Sequence, residues 1–226
     1  MLMQVRSGFM LPASARGPAA PTLVGISTSA DSATVSMPAG IASGDFGVLV
    51  DLANNSSPTS TPTDTLPAGW TRIGTTQTST SGLLGNAQRL NVCYKALDGT
   101  ETTLTGMTGT VGSAKLLYVF RKGAAQTWGT PSGVQAEANN SGATDKTITV
   151  GSGPMFIVGY RGVGGGGGTF MSPVETLLTT RSFGNGVLFG GYKTYGAVGA
   201  NNTLSASGAG DGARSYSIGG FYVPLT

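Results

Sequence analysis

The 226-residue chain contains no histidine. That absence removes the Ser-His-Asp and Cys-His catalytic arrangements, the common zinc sites and the usual neutral-pH proton shuttle in one step. There is one cysteine, Cys93, so no internal disulfide can form. In "RLNVCYKAL" its thiol alternates with Leu90, Val92 and Tyr94 along an expected strand and reads as a small core residue. Charged side chains make up 10% of the chain, and the 13 basic residues are scattered singly apart from Arg121-Lys122. Nucleic-acid binding needs a clustered basic patch, so it is not expected. No apolar run approaches the roughly 18 residues needed to cross a bilayer, and no basic region followed by an apolar core opens the chain. The expectation is a soluble protein with no membrane insertion.

Glycine is abundant, at 38 residues, and Ser and Thr fill the stretches between apolar runs. No sustained 3.6-residue apolar period occurs, whereas short alternating runs bounded by turn residues recur throughout, the pattern of an all-β sandwich or barrel. Strands are expected at 23–28, 33–37, 46–52, 70–77, 88–97, 101–105, 115–122, 146–150, 155–161, 174–180, 187–195 and 214–223. The Pro/Ser/Thr-rich segment 53–69 and the polar segment 137–145 read as loop and break. Around that break the features repeat in order. "GDFGVLVDLA" is matched by "GPMFIVGYRG", "NVCYKALDGTETTLTG" by "LFGGYKTYGAVGANNTLSASG", and Tyr94-Lys95 by Tyr192-Lys193. A β-sandwich domain over 22–226 is expected, built of two weakly similar halves, about 22–136 and 137–226; the lack of a Pro-rich linker between them favours one interleaved body over two tandem sandwiches. Residues 1–21 read as an extended arm. Its Leu2, Val5, Phe9, Met10 and Leu11 suit docking on a neighbouring subunit, although a frayed terminus has the same composition.

Little in the chain points to chemistry. Of the acids, most sit in turns, and Asp51 and Glu175 are the two that could serve as a carboxylate pair of the glycosidase kind. "ALDGTE" and "GAGDGAR" offer too few carboxylates for a calcium loop and suit Asp-Gly turns instead. No cofactor or metal is expected. The run "YRGVGGGGGTF" lacks the Gly-Lys-Ser/Thr ending and following helix of a phosphate loop, so it reads as a connecting loop at one end of a sandwich. Gly164, Gly165, Gly166 and Phe170 there are candidate contacts for a ligand or partner. Trp70 in "PAGWTRI" reads as a ring closing a core. Trp128, in a stretch of small and polar residues, is either a local plug or an exposed platform that stacks on sugar. Tyr195 and Tyr222 join it as candidates. In "RSYSIGGFYVP" apolar residues on both faces imply a strand covered from two sides, either central or facing another subunit.

Four stretches, "IASGDFGVLVDLA", "LPAGWTRIGT", "LNVCYKALDGTETTLTG" and "LLYVFRKG", resemble a pattern in structural proteins of tailed bacteriophages. The resemblance covers about residues 41–123, and Asp98-Gly99-Thr100-Glu101 departs from it where a simpler Gly-Glu turn is usual. It implies a jelly-roll-like antiparallel β-sandwich in a fibre, spike, tail-tip or capsid-decorating protein, commonly trimeric. The implied partners are copies of itself, other virion proteins and a host-surface glycan. The implied location is the virion, assembled in the host cytoplasm. A carbohydrate-binding module or adhesin domain is the competing expectation, with Trp128 and the loop tyrosines as its sugar platform.

Overall fold

The computed structural model describes residues 19–57, 59–80, 87–139, 146–150, 153–164, 171–172, 179–183, 186–196, 202–206 and 216–226. The described chain is all-β with antiparallel sheets. Its first eight strands are β1 (Thr22–Ala30), β2 (Thr34–Ser36), β3 (Phe46–Asn55), β4 (Thr71–Arg72), β5 (Gln77–Thr80), β6 (Ala87–Ala96), β7 (Thr103–Thr105) and β8 (Gly112–Arg121). The next eight are β9 (Ser132–Asn139), β10 (Lys146–Val150), β11 (Met155–Gly164), β12 (Met171–Ser172), β13 (Thr179–Phe183), β14 (Gly186–Tyr195), β15 (Asn202–Ala206) and β16 (Tyr216–Pro224).

One large sheet runs β1-β8-β3-β6-β4, with β5 also paired to β6, and a second runs β13-β14-β11-β16-β9. Two small sheets, β2-β7 and β10-β15-β12, accompany them. Read in chain order, the second set of strands pairs as the first does. β8 lies between β1 and β3 as β16 lies between β9 and β11, and β6 joins β3 as β14 joins β11. Likewise β5 joins β6 as β13 joins β14, and β2-β7 matches β10-β15; only β4 and β12 take different neighbours. The registers correspond too. Val48 lies opposite Tyr94 and Tyr118, and Val158 lies opposite Tyr192 and Phe221. Each edge strand that opens a set carries one extra residue near its start, between Leu23 and Gly25 in β1 and between Ser132 and Gln135 in β9. Such bulges are positional devices rather than accidents.

The two large sheets pack face to face. β3 and β8 are buried along almost their whole length, which is why their sequences lack strict polar alternation. The inter-sheet core takes Phe46, Val48, Val50 and Leu52 from β3 and Leu116, Tyr118 and Phe120 from β8. Facing them are Phe156, Val158 and Tyr160 of β11, Leu188 and Tyr192 of β14, and Phe221 and Val223 of β16. Phe120 and Phe156 stack across the interface with ring centroids 3.9 Å apart. β1 comes near β13, β8 near β13 and β14, and β5 near β9 and β16. Strand order is thus reversed from one sheet to the other, as a two-fold rotation about the β3/β11 direction would place it. The other face of the first sheet holds a second core of Leu49, Cys93, Leu117 and Val119, covered by Val35, Leu104, Trp70 and Leu97.

Several expectations need correction at element level. The strand expected over 70–77 is two strands, because Gly74 takes a positive φ of 68° and breaks the run between β4 and β5. Residues 137–139 of the expected polar break belong to β9, which pairs with β16 across the 136/137 boundary, and 140–145 lie outside the described residues. β9 and β15 fall in none of the expected strand ranges, although the repeat matches Thr203-Leu204 of β15 to Thr103-Leu104 of β7. Residues 162–164 of the expected glycine-rich loop are strand, since β11 stays paired with β14 through Gly164, and 165–170 lie outside the described residues.

Candidate functional site

Trp128, Tyr195 and Tyr222 gather at one end of the sandwich, the end where β3 and β11 begin. The turn before β3 is built from "ASGD". Gly44 takes a φ of 88°, which a side chain resists, and the Asp45 carboxylate accepts the Ala42 amide at 2.8 Å. Arg121, at the end of β8, donates from Nε to Asp45 Oδ1 at 2.8 Å, and from Nη2 to Asp45 Oδ2 at 2.7 Å and the Gly40 carbonyl at 2.8 Å. This is a two-pronged arginine–carboxylate contact on an acid only 2% exposed. Beside it an open cleft of about 390 Å³ is lined by Ser43, Gly44, Asp45, Arg121, Lys122, Gly123 and Ala124.

Trp128 borders this end but does not present its ring as a platform. Its indole N–H donates to the Gly44 carbonyl at 2.8 Å, and the ring packs tilted on Phe46 at 5.1 Å and edge-on to Phe156 at 5.7 Å. The backbone around it is fastened to the C-terminus: Thr127 N donates to Thr226 O at 2.7 Å and Gly129 N to Pro224 O at 2.8 Å. The half-buried ring therefore caps the inter-sheet core where both halves meet. Tyr195 and Tyr222 stand opposite Met155 and Ile157, on the far face of the second sheet, half-buried. Lys193 lies 5.3 Å from the centroid of the Tyr195 ring. The three aromatics share an end of the molecule and not a surface. Gly164 closes β11, while Gly165, Gly166 and Phe170, and the arm residues Leu2, Val5, Phe9, Met10 and Leu11, lie outside the described residues.

A second polar constellation crosses the outer face of the first sheet, and the sequence pattern did not disclose it. Asp51 of β3 and Lys115 of β8 are direct cross-strand partners, 1% and 0% exposed, with Nζ 3.3 Å from Oδ1. Lys115 also donates to the Ser32 and Met107 carbonyls at 2.8 and 2.7 Å, and the Met107 amide donates to Asp51 Oδ2 at 2.7 Å. Burial raises the Asp51 pKa to about 6, against the opposing charge of Lys115 and the Met107 hydrogen bond. The next residue across the sheet, Asn91 of β6, donates to Asp64 Oδ1 at 2.7 Å, and Asp64 also holds Arg72 at 2.6 Å and Thr76 at 2.9 Å. Burial works against ionised Asp64, but hydrogen bonds from Asn91 and Thr76 and the Arg72 charge outweigh it and lower its pKa. These contacts pin the 105–109 segment and the Pro/Ser/Thr loop to the sheet.

The acids considered for catalysis are thus occupied where they are described. Asp51 is sealed against Lys115, and Glu175 lies outside the described residues. In the 98–101 turn, Gly99 has a φ of 90° and Asp98 accepts the Thr100 amide at 2.8 Å. Glu101 accepts the Asp98 and Gly99 amides at 3.2 and 3.0 Å and holds Lys95 at 2.7 Å. The Asp-Gly turn closes on its own backbone. Among the described residues no group of three or more Cys, Asp or Glu side chains converges as a metal site, and no helix is long and apolar enough to cross a membrane. Comparison with protein-family models, curated proteins and solved structures finds no match to this chain.

Proposed function

We propose that this chain is a non-enzymatic structural protein of a tailed-bacteriophage particle, part of a fibre, spike, tail or capsid decoration, with a contribution to host attachment. The observation that carries the reading is the strand order. A sheet β1-β8-β3-β6 beside a separate β2-β7 pair supports a jelly-roll-like reading of the first set of strands, and β9-β16-β11-β14 beside β10-β15-β12 supports the same reading of the second. We read the chain as two jelly-roll-like halves joined through their larger sheets, in keeping with the resemblance over residues 41–123. The placement of the polar groups agrees with a scaffold role. Asp45, Asp51 and Glu101 each hold a cation and a backbone amide, Asp64 holds Arg72, and the Trp128 indole is committed to a backbone carbonyl rather than offered to a sugar.

The test is to purify particles from the host in which the chain is made and search their peptides by mass spectrometry. The expected result is its recovery at a fixed stoichiometry to the major structural proteins, with antibody labelling at one location on the particle. A chain that stays wholly in the soluble fraction while complete particles form would overturn the reading.

A further inference from the structure

We propose that the free edge of β1 is a self-association surface, on which the β1 of a second copy of this chain lies antiparallel with Thr28 opposite Thr28. The inference stands apart from the virion reading and rests on how this molecule treats its sheet edges.

β1 ends the larger first sheet, and among the described residues no strand pairs with it on the side away from β8. Its pairing phase is fixed by the Asp31 amide, which donates to the Ser113 carbonyl at 2.7 Å in the same register as Ala30 opposite Ala114. Antiparallel pairs alternate between bonded and non-bonded positions. Asp31, Ser29 and Ser27 therefore turn their N–H and C=O groups toward β8, and Ala30, Thr28 and Ile26 turn theirs outward. Unpaired edge groups of this kind form a template for another strand, and proteins blunt such edges with short strands, charges or proline.

The other described edges carry these devices and β1 does not. β4 has two residues, β2 and β7 have three each, and β5 has four. β9, which occupies the matching edge of the second sheet, carries Glu137, and β13 carries Arg181. β1 is nine residues, "TLVGISTSA", without charge or proline, and its one bulge is confined to the start, between Leu23 and Gly25. From Gly25 onward it is a regular ribbon. Its apolar side chains are half-buried on both faces, Leu23 and Ile26 against the inter-sheet core and Val24 against the outer core. A strand laid alongside would complete both. An uncharged edge is complemented best by one equally long and uncharged, and within this protein that strand is β1 itself. Two copies related by a two-fold axis at Thr28 pair Ile26 with Ala30 and join the outward groups of each strand to those of the other.

The test uses the full chain in sedimentation velocity over a concentration series. The expected mass is twice the 22.6 kDa of one chain. Thr28→Pro, which removes an outward amide and spares the β8 ladder, is expected to weaken association at least tenfold with near-ultraviolet circular dichroism unchanged. Thr28→Lys, placing charge at an exposed position, is the second variant should the proline disturb folding. Thr28→Cys is expected to form a covalent dimer under mild oxidation, since the buried Cys93 does not compete. A wild-type monomer at every concentration, an oligomer unmoved by both Thr28→Pro and Thr28→Lys, or a dimer that Thr28→Cys fails to link would each overturn the proposal. None of these outcomes bears on whether the chain is found in particles.

Discussion

At the scale of single residues, the groups most exposed to experiment are the two buried charges that face each other across β3 and β8. Asp51 and Lys115 are both buried, so removing either takes away the opposite charge that offsets the burial of the other. Loss of one partner of a buried pair costs about 3 to 5 kcal/mol. Lys115→Met is expected to lower unfolding free energy by that amount in urea titrations, and Asp51→Leu/Lys115→Met to recover most of it. The pair also carries a pH dependence of unusual sign. The folded pKa of Asp51, about 6, lies above its ordinary value near 3.8, so between those values the folded chain holds a proton that the unfolded chain has released. Stability from this group is full below pH 3.8 and is lost as the pH rises through about 6, a change of at most about 3 kcal/mol. The stability difference between wild type and Asp51→Asn is expected to shift in favour of wild type as the pH falls from 7 to 4, by about 1 to 3 kcal/mol. A flat difference curve would mean that Asp51 stays ionised throughout.

At the scale of elements, the sheets approach each other where glycine leaves room. A Cβ on Gly190 of β14 would overlap the Tyr118 hydroxyl and Leu116, and one on Gly162 of β11 would lie 2.7 Å from Leu52 Cδ2. A Cβ on Gly109 would run into the backbone of Asn54, which cannot step aside as a side-chain tip can. Gly109→Ala is therefore expected to cost more than Gly162→Ala, with overpacking of about 1 to 3 kcal/mol for the latter and a larger loss for the former, read from denaturation midpoints. Equal small losses would place Gly109 outside any tight contact. Strands with bulky or branched residues were legible in the sequence: β3, β6, β8, β10 and β14 fall within a few residues of the expected ranges. β9 was not, because its period-two pattern is carried by Val134, Ala136 and Ala138, and alanine gives a weak apolar signal. β15 has only Leu204 to mark it. The Asp51–Lys115 pair was hidden for another reason. A charge inside an apolar run looks like an interruption until the partner strand and its register are known. Trp128 was ambiguous in one dimension because its neighbours are small and polar; Phe46 and Phe156, which enclose it, come from distant strands.

At the scale of the whole molecule, the repeated order of features in the sequence has a counterpart in the repeated order of strands, although spacing and residue identity drifted between the halves. What the sequence could not reveal is that the two sets meet through their larger sheets. Tyr118, Phe120, Phe46 and Trp128 pack on Phe156 and Tyr192, so the aromatic core belongs to both sets. Neither large sheet keeps a covered inner face without the other, and that predicts a single cooperative transition for the folded body. The two tryptophans report on different places, Trp70 in the outer core of the first sheet and Trp128 at the seam. Single-tryptophan chains made with Trp128→Phe or Trp70→Phe, each compared with far-ultraviolet circular dichroism, are expected to unfold at coincident denaturant midpoints. Phe156→Ala, made in the second set of strands, removes the ring stacked on Phe120 and is expected to cost about 3 to 5 kcal/mol. In a shared core it moves the Trp70 transition of the first set by as much as the global one. If Trp70 kept its midpoint while circular dichroism lost half its amplitude earlier, the sheets would be two independently stable bodies in contact.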